Sequence, residues 1–251
     1  MKVAVITGAS SGLGAEFIKK IGKYFPEIEE YWLIARREER MREIASEVSV
    51  KCRIMPLDLT LDESYKEIEK TAAEEKADVK LLINNAGCGF LGDVGAGDVS
   101  RQILMIELNL KALTAVTHVL LPYMSKGSRI INVSSIASFC ANAHMTVYSS
   151  TKAYVSSFTR GLAEELRGRM IRVTAVCPGP MDTEFITVGG IKGKSKTFDI
   201  LPYCDPAKVA DGTLRASKKG RVFYTPTFFY KFYRFVAKLL PGAWVVKMCK
   251  T

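Results

Sequence analysis

The chain has 251 residues and a formal net charge of +10, with 48% apolar and 25% charged residues. This composition supplies enough apolar side chains for a core and argues against disordered, collagen-like and coiled-coil chains. Six widely spaced cysteines and only two histidines argue against a disulfide scaffold and a metal centre. We therefore expect reduced thiols, no metal and a cytoplasmic location.

Short apolar runs alternate with amphipathic stretches along the first part of the chain, which is the pattern of βαβ units. The apolar runs predict four strands, at 2–6, 31–35, 52–56 and 80–84. Helical spacing predicts helices between them, at 13–24, 41–48 and 61–76. The first strand begins at Lys2, so we expect no export signal. With no uninterrupted run of 18 apolar residues, we also expect no membrane span.

The alternation continues through the second part of the chain. It predicts helices at 99–124, 147–167 and 228–240, strands at 128–133, 172–177 and 221–225, and a helix capped by Asp205 and Pro206. Residues 181–204 contain three glycines and have weak periodicity, which indicates a loop or lid. No repeat or linker interrupts the pattern. We therefore predict one α/β domain over residues 1–251, a doubly wound, mostly parallel sheet of about seven strands with helices on both faces.

A glycine-rich turn joins the first predicted strand to the first predicted helix. Glycines permit a tight turn and let the backbone approach a pyrophosphate, which the free N–H groups of the helix N-terminus then stabilise. A glycine turn between any strand and helix has a purely structural alternative, but this context favours dinucleotide binding. The candidate residues are Gly8, Ser10, Ser11, Gly12, Leu13 and Gly14.

The end of the second strand predicts which dinucleotide is bound. Proteins that bind NAD place an acid there for the ribose 2′-hydroxyl, whereas arginine accommodates a 2′-phosphate. This chain has Arg36 and Arg37 at that position, and guanidinium groups pair well with phosphate. The sequence therefore predicts NADP(H), with Asp58 and Leu59 after the third strand as candidate adenine contacts. The alternative is a solvated pair of charges at the start of a helix.

Tyr148 and Lys152 are four residues apart on a predicted helix, so their side chains share one face. A phenol with its ordinary pKa of about 10 is a poor proton donor and acceptor at neutral pH. A nearby ammonium would lower that pKa, which suits proton transfer to and from a carbonyl oxygen. This spacing also arises by chance on solvated helices, so the pair alone is not specific.

The order of the motifs is far more specific than any one of them. The glycine turn, then Asn84 to Gly87, Asn109, Ser135, the Tyr148–Lys152 pair and Pro178-Gly179 together resemble the short-chain dehydrogenase/reductase family over about residues 1 to 215. The resemblance implies a Rossmann fold and an oxidoreductase that transfers hydride with a nicotinamide cofactor. It also implies dimers or tetramers. Nothing in it implies nucleic-acid binding.

The resemblance also implies roles for individual residues. Tyr148 matches the catalytic acid/base, and Lys152 its partner, which also holds the nicotinamide ribose. Ser135, 13 residues before the tyrosine, matches the serine that binds the substrate oxygen, and Asn109 the asparagine of a proton relay. The remaining matches are expected to line the cofactor, namely Asn85, Ala86, Gly87, Pro178, Gly179 and Thr183.

Two departures from the family pattern are visible. The residue before the middle glycine is Ser11, where relatives that prefer NADP often have Lys or Arg, so the NADP prediction depends on Arg36 and Arg37. The segment after Ser135 reads Ile136-Ala137-Ser138 and lacks the usual glycine. Neither departure touches the catalytic set. For the substrate, we take Ser135, His144 and Phe185 as candidate contacts, with residues 181–204 as the substrate loop.

The last 40 residues are basic and aromatic. Predicted extension 222–251 contains a helix at 228–240, on which Lys231, Arg234 and Lys238 fall within a narrow arc and apolar residues fill the opposite side. We favour a helix that covers the substrate pocket or a subunit partner. The alternative is peripheral contact with an anionic membrane. The basic residues after position 211, with no acid among them, are Arg215, Lys218, Lys219, Arg221, Lys231, Arg234, Lys238, Lys247 and Lys250.

These observations lead to one main hypothesis and three rivals. The main one is an NADP(H)-dependent oxidoreductase that interconverts a ketone and a secondary alcohol on a hydrophobic small molecule. The nearest rival is a 3-ketoacyl (fatty-acyl) reductase. From other classes, the rivals are a non-catalytic NADP-sensing module and a module that binds the membrane surface. The joint presence of Ser135, Tyr148 and Lys152 argues against a sensor, which needs only the nucleotide site.

Overall fold

A computed structural model describes residues 1–96, 98–191, 193 and 195–248. Residues 192 and 194 of the predicted substrate loop and residues 249–251 of the predicted extension, including Lys250, lie outside this range.

The described residues contain a seven-stranded, entirely parallel sheet in the order β3-β2-β1-β4-β5-β6-β7. This order confirms the predicted α/β, doubly wound Rossmann fold. The predicted strands are present, and no end differs from its predicted position by more than two residues. They are β1 (Lys2–Thr7), β2 (Glu30–Ala35), β3 (Lys51–Pro56), β4 (Asp78–Asn84), β5 (Arg129–Val133), β6 (Arg172–Val176) and β7 (Phe223–Tyr224).

Helices flank both faces of the sheet and connect its parallel strands. They are α1 (Gly12–Tyr24), α2 (Glu38–Ser46), α3 (Asp62–Glu74), α4 (Val99–Ile106), α5 (Leu113–Leu120), α6 (Thr146–Glu165), α7 (Glu184–Val188), α8 (Lys196–Ile200), α9 (Pro206–Lys218), α10 (Phe228–Leu239) and α11 (Gly242–Met248). Asp205 caps α9 as expected, because its carboxylate accepts hydrogen bonds from the N–H groups of Ala207 and Lys208 at 2.8 and 3.3 Å.

Three local predictions are wrong. The single helix predicted at 99–124 is interrupted by a π-helical segment, Glu107–Ala112, between α4 and α5. The predicted loop at 181–204 contains the two short helices α7 and α8. Helix α11 was not predicted at all. Apolar spacing does not reveal these features, because a π segment keeps the helical pattern and very short helices depend on tertiary contacts.

Alternate side chains of β1 explain why the sheet needs helices on both faces. Ala4 and Ile6 belong to one buried cluster, with Phe17 of α1 and Leu214 of α9. Their neighbours Val3 and Val5 belong to a second cluster, with residues of α3, α5 and α6. Successive strand residues point to opposite faces, so a strand buried on both faces reads as a continuous apolar run.

One stretch of the described chain, Val99–Tyr123, is long and apolar enough to cross a membrane by length and composition, with a mean hydropathy of 1.5. Its second half, however, packs in the core of this fold. Val116 and Leu120 of α5 are buried in the cluster that includes Val3 and Val5 of β1. Packing against the sheet accounts for the apolar character of this half.

The strand order reverses direction between β1 and β4, and the chain is tied together at that point. The Thr7 hydroxyl oxygen accepts hydrogen bonds from the N–H groups of Asn85 and Ala86, both at 3.0 Å. The Asn85 amide donates to the carbonyl oxygens of Thr7 and Gly8 at 3.1 and 3.0 Å. Ligands of open α/β sheets bind in the crevice beyond such a switch point. The functional site is therefore expected beside these residues.

Candidate active site

A cleft of about 480 Å³ opens at the carboxyl ends of the strands, at the switch point. Most of the predicted site residues line this cleft. They are Gly8, Ser10, Ser11, Gly12, Leu13, Arg36, Arg37, Asp58, Leu59, Asn85, Ala86, Gly87, Ser135, Tyr148, Lys152, Pro178, Gly179, Thr183 and Phe185. Gly14, Asn109 and His144 do not line it. The fold thus brings together motifs that are up to 177 positions apart in the sequence.

The glycine turn has the shape that a pyrophosphate requires. Gly8 has a positive φ of 65°, and a Cβ there would lie only 2.8 Å from the Asn85 amide nitrogen. A side chain at Gly14 would overlap the carbonyl oxygen of Gly8, so Gly14 lets α1 pack closely behind the turn. No side chain caps the start of α1, which leaves its first N–H groups available to an anion.

Two arginines occupy the end of the cleft next to β2. The Arg37 guanidinium donates to the Ser10 hydroxyl at 3.2 Å and forms an ion pair with Glu184 at 2.7 Å. This contact joins the glycine turn to α7. Burial favours a higher pKa for Asp58, but hydrogen bonds from Thr60 and the charge of Arg36 together hold that pKa below its ordinary value. Asp58 is therefore an anion in this structure, and it accepts hydrogen bonds from Thr60.

The Tyr148 and Lys152 side chains are both buried and meet on one face of α6. The Lys152 ammonium lies 5.8 Å from the centroid of the Tyr148 ring and donates to the carbonyl oxygen of Val133 at 2.9 Å. Ser135 follows β5 and interacts with the Tyr148 phenol. The three candidate catalytic side chains therefore converge, as their motif order predicts.

Burial controls the protonation of this group. It raises the pKa of the Tyr148 phenol to about 12, although a hydrogen bond with Ser135 opposes the shift. Burial also lowers the pKa of Lys152 to about 8. The net shift of the Tyr148 pKa is therefore upward, opposite to the predicted lowering, because burial outweighs the other contributions. The phenolate would lose its hydration, and the ammonium is held by a backbone carbonyl instead.

Asn109 lies in the π segment, and it holds the wall of the cleft. Its side-chain oxygen accepts from the Cys88 N–H, and its amide donates to the Cys88 carbonyl, both at 2.9 Å. The same amide donates to the Thr151 hydroxyl of α6 at 3.0 Å. Asn109 thus fastens the segment after β4 to the helix that carries Lys152. π segments within helices frequently occur at functional sites.

Apolar side chains surround Tyr148 at the other end of the cleft. The Phe185 ring lies 5.8 Å from the Tyr148 ring, centroid to centroid. Three further residues, which no sequence pattern singles out, also line this end, namely Asn142, Met145 and Phe198. The Asn142 side-chain oxygen is buried and has no partner within the described residues. Asn142 and Met145 lie in an irregular segment between Ser138 and α6, where periodicity carries no signal.

The structure does not support His144 as a substrate contact. Its imidazole is exposed, lies 2.6 Å from the Asp93 carboxylate and does not line the cleft. The backbone of His144 has a φ of 63°, in a turn where its carbonyl accepts from Gly92. Its position between Ser135 and Tyr148 in the sequence suggested proximity to the substrate, but the turn directs it outward.

Pro178, Gly179 and Thr183 close the remaining side of the cleft. A side chain at Gly179 would overlap the ring of Tyr230 from α10, so only glycine fits between that ring and the cleft. Thr183 faces the glycine turn, since a Cβ at Gly12 would lie 3.4 Å from the Thr183 Cβ. No described residue after Leu201 lines the cleft. Helix α10 therefore does not cover it, contrary to the first of the two favoured interpretations, a pocket cover, while contact with a subunit partner stays a prediction.

Comparison with known proteins identifies similar chains over most of this length. A family model described as short chain dehydrogenase matches residues 2–188. An uncharacterized oxidoreductase of Staphylococcus epidermidis is 31% identical over 206 residues, which cover 81% of this chain and 88% of that protein. Sulfoacetaldehyde reductase 2 of Chromohalobacter salexigens is 33% identical over 195 residues, covering 74% and 75% of the two chains.

A solved structure shares the architecture as well. The alcohol dehydrogenase from the archaeon Thermococcus sibiricus, complexed with 5-hydroxy-NADP, aligns with a TM-score of 0.75 and 28% identity. The alignment covers 92% of this chain and 97% of that one.

Substitution of Gly87 by alanine tests how tightly the wall is packed. The added methyl group would lie 2.8 Å from the Asn109 side-chain oxygen and 3.5 Å from the Lys152 nitrogen. We expect it to lower the free energy of unfolding in urea by about 1–3 kcal/mol. Gly161→Ala is the matched control, because its Cβ would meet open space on the surface of α6. Equal stability of the two variants would contradict the packing described.

Proposed function

The chain belongs to the short-chain dehydrogenase family and is an oxidoreductase with a nicotinamide cofactor, and from this premise we propose that it uses NADP(H) to reduce a ketone on a hydrophobic small molecule to a secondary alcohol, and catalyses the reverse reaction. One observation carries the proposal. Tyr148, Ser135 and Lys152 converge at the apolar end of a cleft whose other end presents Arg36 and Arg37.

The residues of the chain fit a dinucleotide, because the glycine turn lets a pyrophosphate come close to the backbone and α1 begins with N–H groups that no side chain caps. When bound, the nicotinamide supplies the hydride. Tyr148 donates the proton to the carbonyl oxygen, and Ser135 holds that oxygen through its hydroxyl. A phenol with a pKa of about 12 is protonated at neutral pH. Tyr148 therefore carries the proton that carbonyl reduction needs, and the nearby Lys152 charge has to lower the cost of the phenolate that the donation leaves.

Lys152 has two tasks in this proposal. The hydrogen bond from its ammonium to the Val133 carbonyl oxygen fixes the ammonium beside the Tyr148 ring. A positive charge there stabilises the phenolate that forms after proton donation. With the cofactor bound, Lys152 would also hold the ribose beside the nicotinamide, as the family resemblance implies. Asn109 makes no hydrogen bond to Lys152 in this structure, and we assign it the role of positioning Cys88 and Thr151.

The substrate end favours a hydrophobic molecule with one further polar group. Phe185, Met145 and Phe198 provide apolar walls, and small-molecule sites commonly combine such walls with a few polar groups. Asn142 offers a buried amide with an unpartnered oxygen, which suits a hydroxyl or amide on the substrate. The similarity to a protein named sulfoacetaldehyde reductase supports a carbonyl substrate but not its identity.

The two arginines are the basis for NADP(H) over NAD(H). Arg36 and Arg37 line the cleft and carry fixed charge, and the similar archaeal enzyme is complexed with an NADP derivative. A 3-ketoacyl reductase would share all these residues and differ only in the substrate. A purely sensing module would not require a buried lysine beside a buried tyrosine, so the enzyme is the better explanation.

Replacement of Tyr148 by phenylalanine removes the proton donor and keeps the ring. We expect NADPH binding to persist, because the glycine turn and arginines are untouched. We expect turnover to fall by about 10²- to 10⁴-fold. Tyr154→Phe is the matched control, since Tyr154 lies on the same helix and bonds to Thr114 at the surface. The rate of NADPH oxidation with a panel of steroid, aliphatic, quinone and ketoacyl substrates measures the turnover of both variants. Undiminished turnover of Tyr148→Phe would show that Tyr148 is not the proton donor.

The double substitution Arg36→Ala with Arg37→Ala tests the cofactor preference. Lost charge-assisted hydrogen bonds are worth about 1.5–3 kcal/mol each, so kcat/KM for NADPH should fall by at least ~10-fold while that for NADH changes little. Arg42→Ala is the control, because Arg42 pairs with Glu38 on the surface of α2. An equal loss with both cofactors would assign the arginines a structural role.

The charge of Lys152 predicts a pH dependence. Its pKa is lowered to about 8, so the ammonium loses its proton as pH rises through that value, whereas Tyr148 stays protonated. We expect kcat/KM for carbonyl reduction to fall above pH 8. Arginine keeps its proton throughout this range, so Lys152→Arg should retain a flat profile whatever its absolute rate. If the parent enzyme and Lys152→Arg gave identical pH profiles, each normalised to its maximum, the assignment of this pH dependence to Lys152 would be contradicted.

A further inference from the structure

Helix α10 is held to the protein by one side. Tyr230 is fully buried, and its hydroxyl donates to the carbonyl oxygen of Pro202 at 2.6 Å. Arg234 lies over the ring of Phe223 at 4.5 Å and over that of Phe139 at 5.7 Å. Arg234 therefore turns inward, although the sequence placed it on one arc with Lys231 and Lys238. The inner side of this surface helix is thus partly polar.

The outer side of α10 is apolar. Its stripe has helical spacing and lies about 180° around the helix from Tyr230. We call these side chains, together with the tryptophan that follows on α11, the aromatic face. Its members and their exposed fractions are Phe228 (83%), Phe232 (59%), Phe235 (59%), Leu239 (66%) and Trp244 (63%). A surface helix normally presents polar residues to solvent, and a large exposed apolar patch marks an interaction site.

The aromatic face is turned away from the cleft, as no described residue after Leu201 lines that cleft. Ile200 and Tyr203 are exposed and flank Pro202, the residue to which Tyr230 is bonded. Leu201, between them, lines the cleft. Helix α10 therefore packs, through Tyr230, against the segment that ends the substrate side of the site.

The charges around the face select one kind of partner. Lys231 and Lys238 are exposed on α10, and Lys247 is exposed on α11. No acidic residue occurs after position 211. An apolar stripe with aromatic side chains, bordered by lysines, is the pattern of helices that lie in the interface of an anionic bilayer. Each basic residue near such a surface strengthens binding, and tryptophan prefers the headgroup level.

We propose that the aromatic face docks the protein onto an anionic lipid bilayer, with Phe228, Phe232, Phe235, Leu239 and Trp244 entering the interface and the lysines facing the headgroups. The proposal stands on this surface alone and does not need the proposed activity.

Co-sedimentation of the full chain with lipid vesicles tests the proposal. We expect binding to phosphatidylcholine vesicles that contain about 30% phosphatidylglycerol, weak binding to phosphatidylcholine alone, and a loss of at least ~10-fold in affinity between about 50 and about 500 mM salt. Phe232→Ser with Phe235→Ser, and Lys231→Glu with Lys238→Glu, should each weaken binding by at least ~10-fold. Matched controls are Leu61→Ser with Val94→Ser, and Lys66→Glu with Lys70→Glu, all at exposed positions.

Tryptophan fluorescence supplies a second, site-specific measurement. The chain has two tryptophans; Trp32 is fully buried and Trp244 is exposed. We expect the emission to shift to shorter wavelength when anionic vesicles are added, and Trp244→Phe to abolish that shift while the protein still sediments. Thermal unfolding followed by circular dichroism verifies that each variant is folded.

Three results would overturn the proposal. One is the absence of binding to anionic vesicles at low salt by the folded parent chain. Another is equal loss of binding in the face variants and in their controls. The third is a parent chain that does not bind vesicles and forms an oligomer whose molar mass, measured by light scattering, falls when Phe232 and Phe235 are replaced. That result would assign the aromatic face to contact between copies of this chain.

Discussion

Thr7 and Asn85 join the carboxyl ends of β1 and β4 through four hydrogen bonds, and the remainder of the site is arranged around this junction. The bonds hold the glycine turn against the segment that leads to Gly87 and Cys88. That segment in turn is fastened to α6 through Asn109 and Thr151. A continuous set of polar contacts therefore connects the dinucleotide end of the cleft with the helix that carries Tyr148 and Lys152.

Burial has opposite effects on the two central groups of the site. It keeps the Tyr148 phenol protonated and makes the Lys152 ammonium easier to deprotonate. Both shifts have one cause, since removal from water disfavours whichever form is charged. The lysine remains useful because a backbone carbonyl fixes its position. Its charge stabilises Tyr148 most strongly after the phenol has given up its proton, because little water is present in this buried site to screen the attraction.

The sequence predicted the sheet and the place of the glycine turn well because both depend on local patterns. Buried parallel strands are continuous apolar runs, and the glycine turn must directly follow one of them. The errors concern properties that arise only when distant segments meet. His144 is near Tyr148 in the chain but is turned outward, the sign of the Tyr148 pKa shift depends on enclosure from several elements, and Arg234 is drawn inward by the rings of Phe139 and Phe223. Asn142 carries no pattern at all.

The ring of Tyr230 occupies the space directly behind Gly179, on the turn that closes the cleft. The C-terminal helix is thus a structural support of the active-site turn as well as an outward surface. Its removal, or its exchange for the corresponding segment of a relative, would leave a hole the size of an aromatic ring beneath Pro178 and Gly179. Chimeras that swap this segment would therefore need a matching aromatic residue at position 230 to preserve the shape of the cleft.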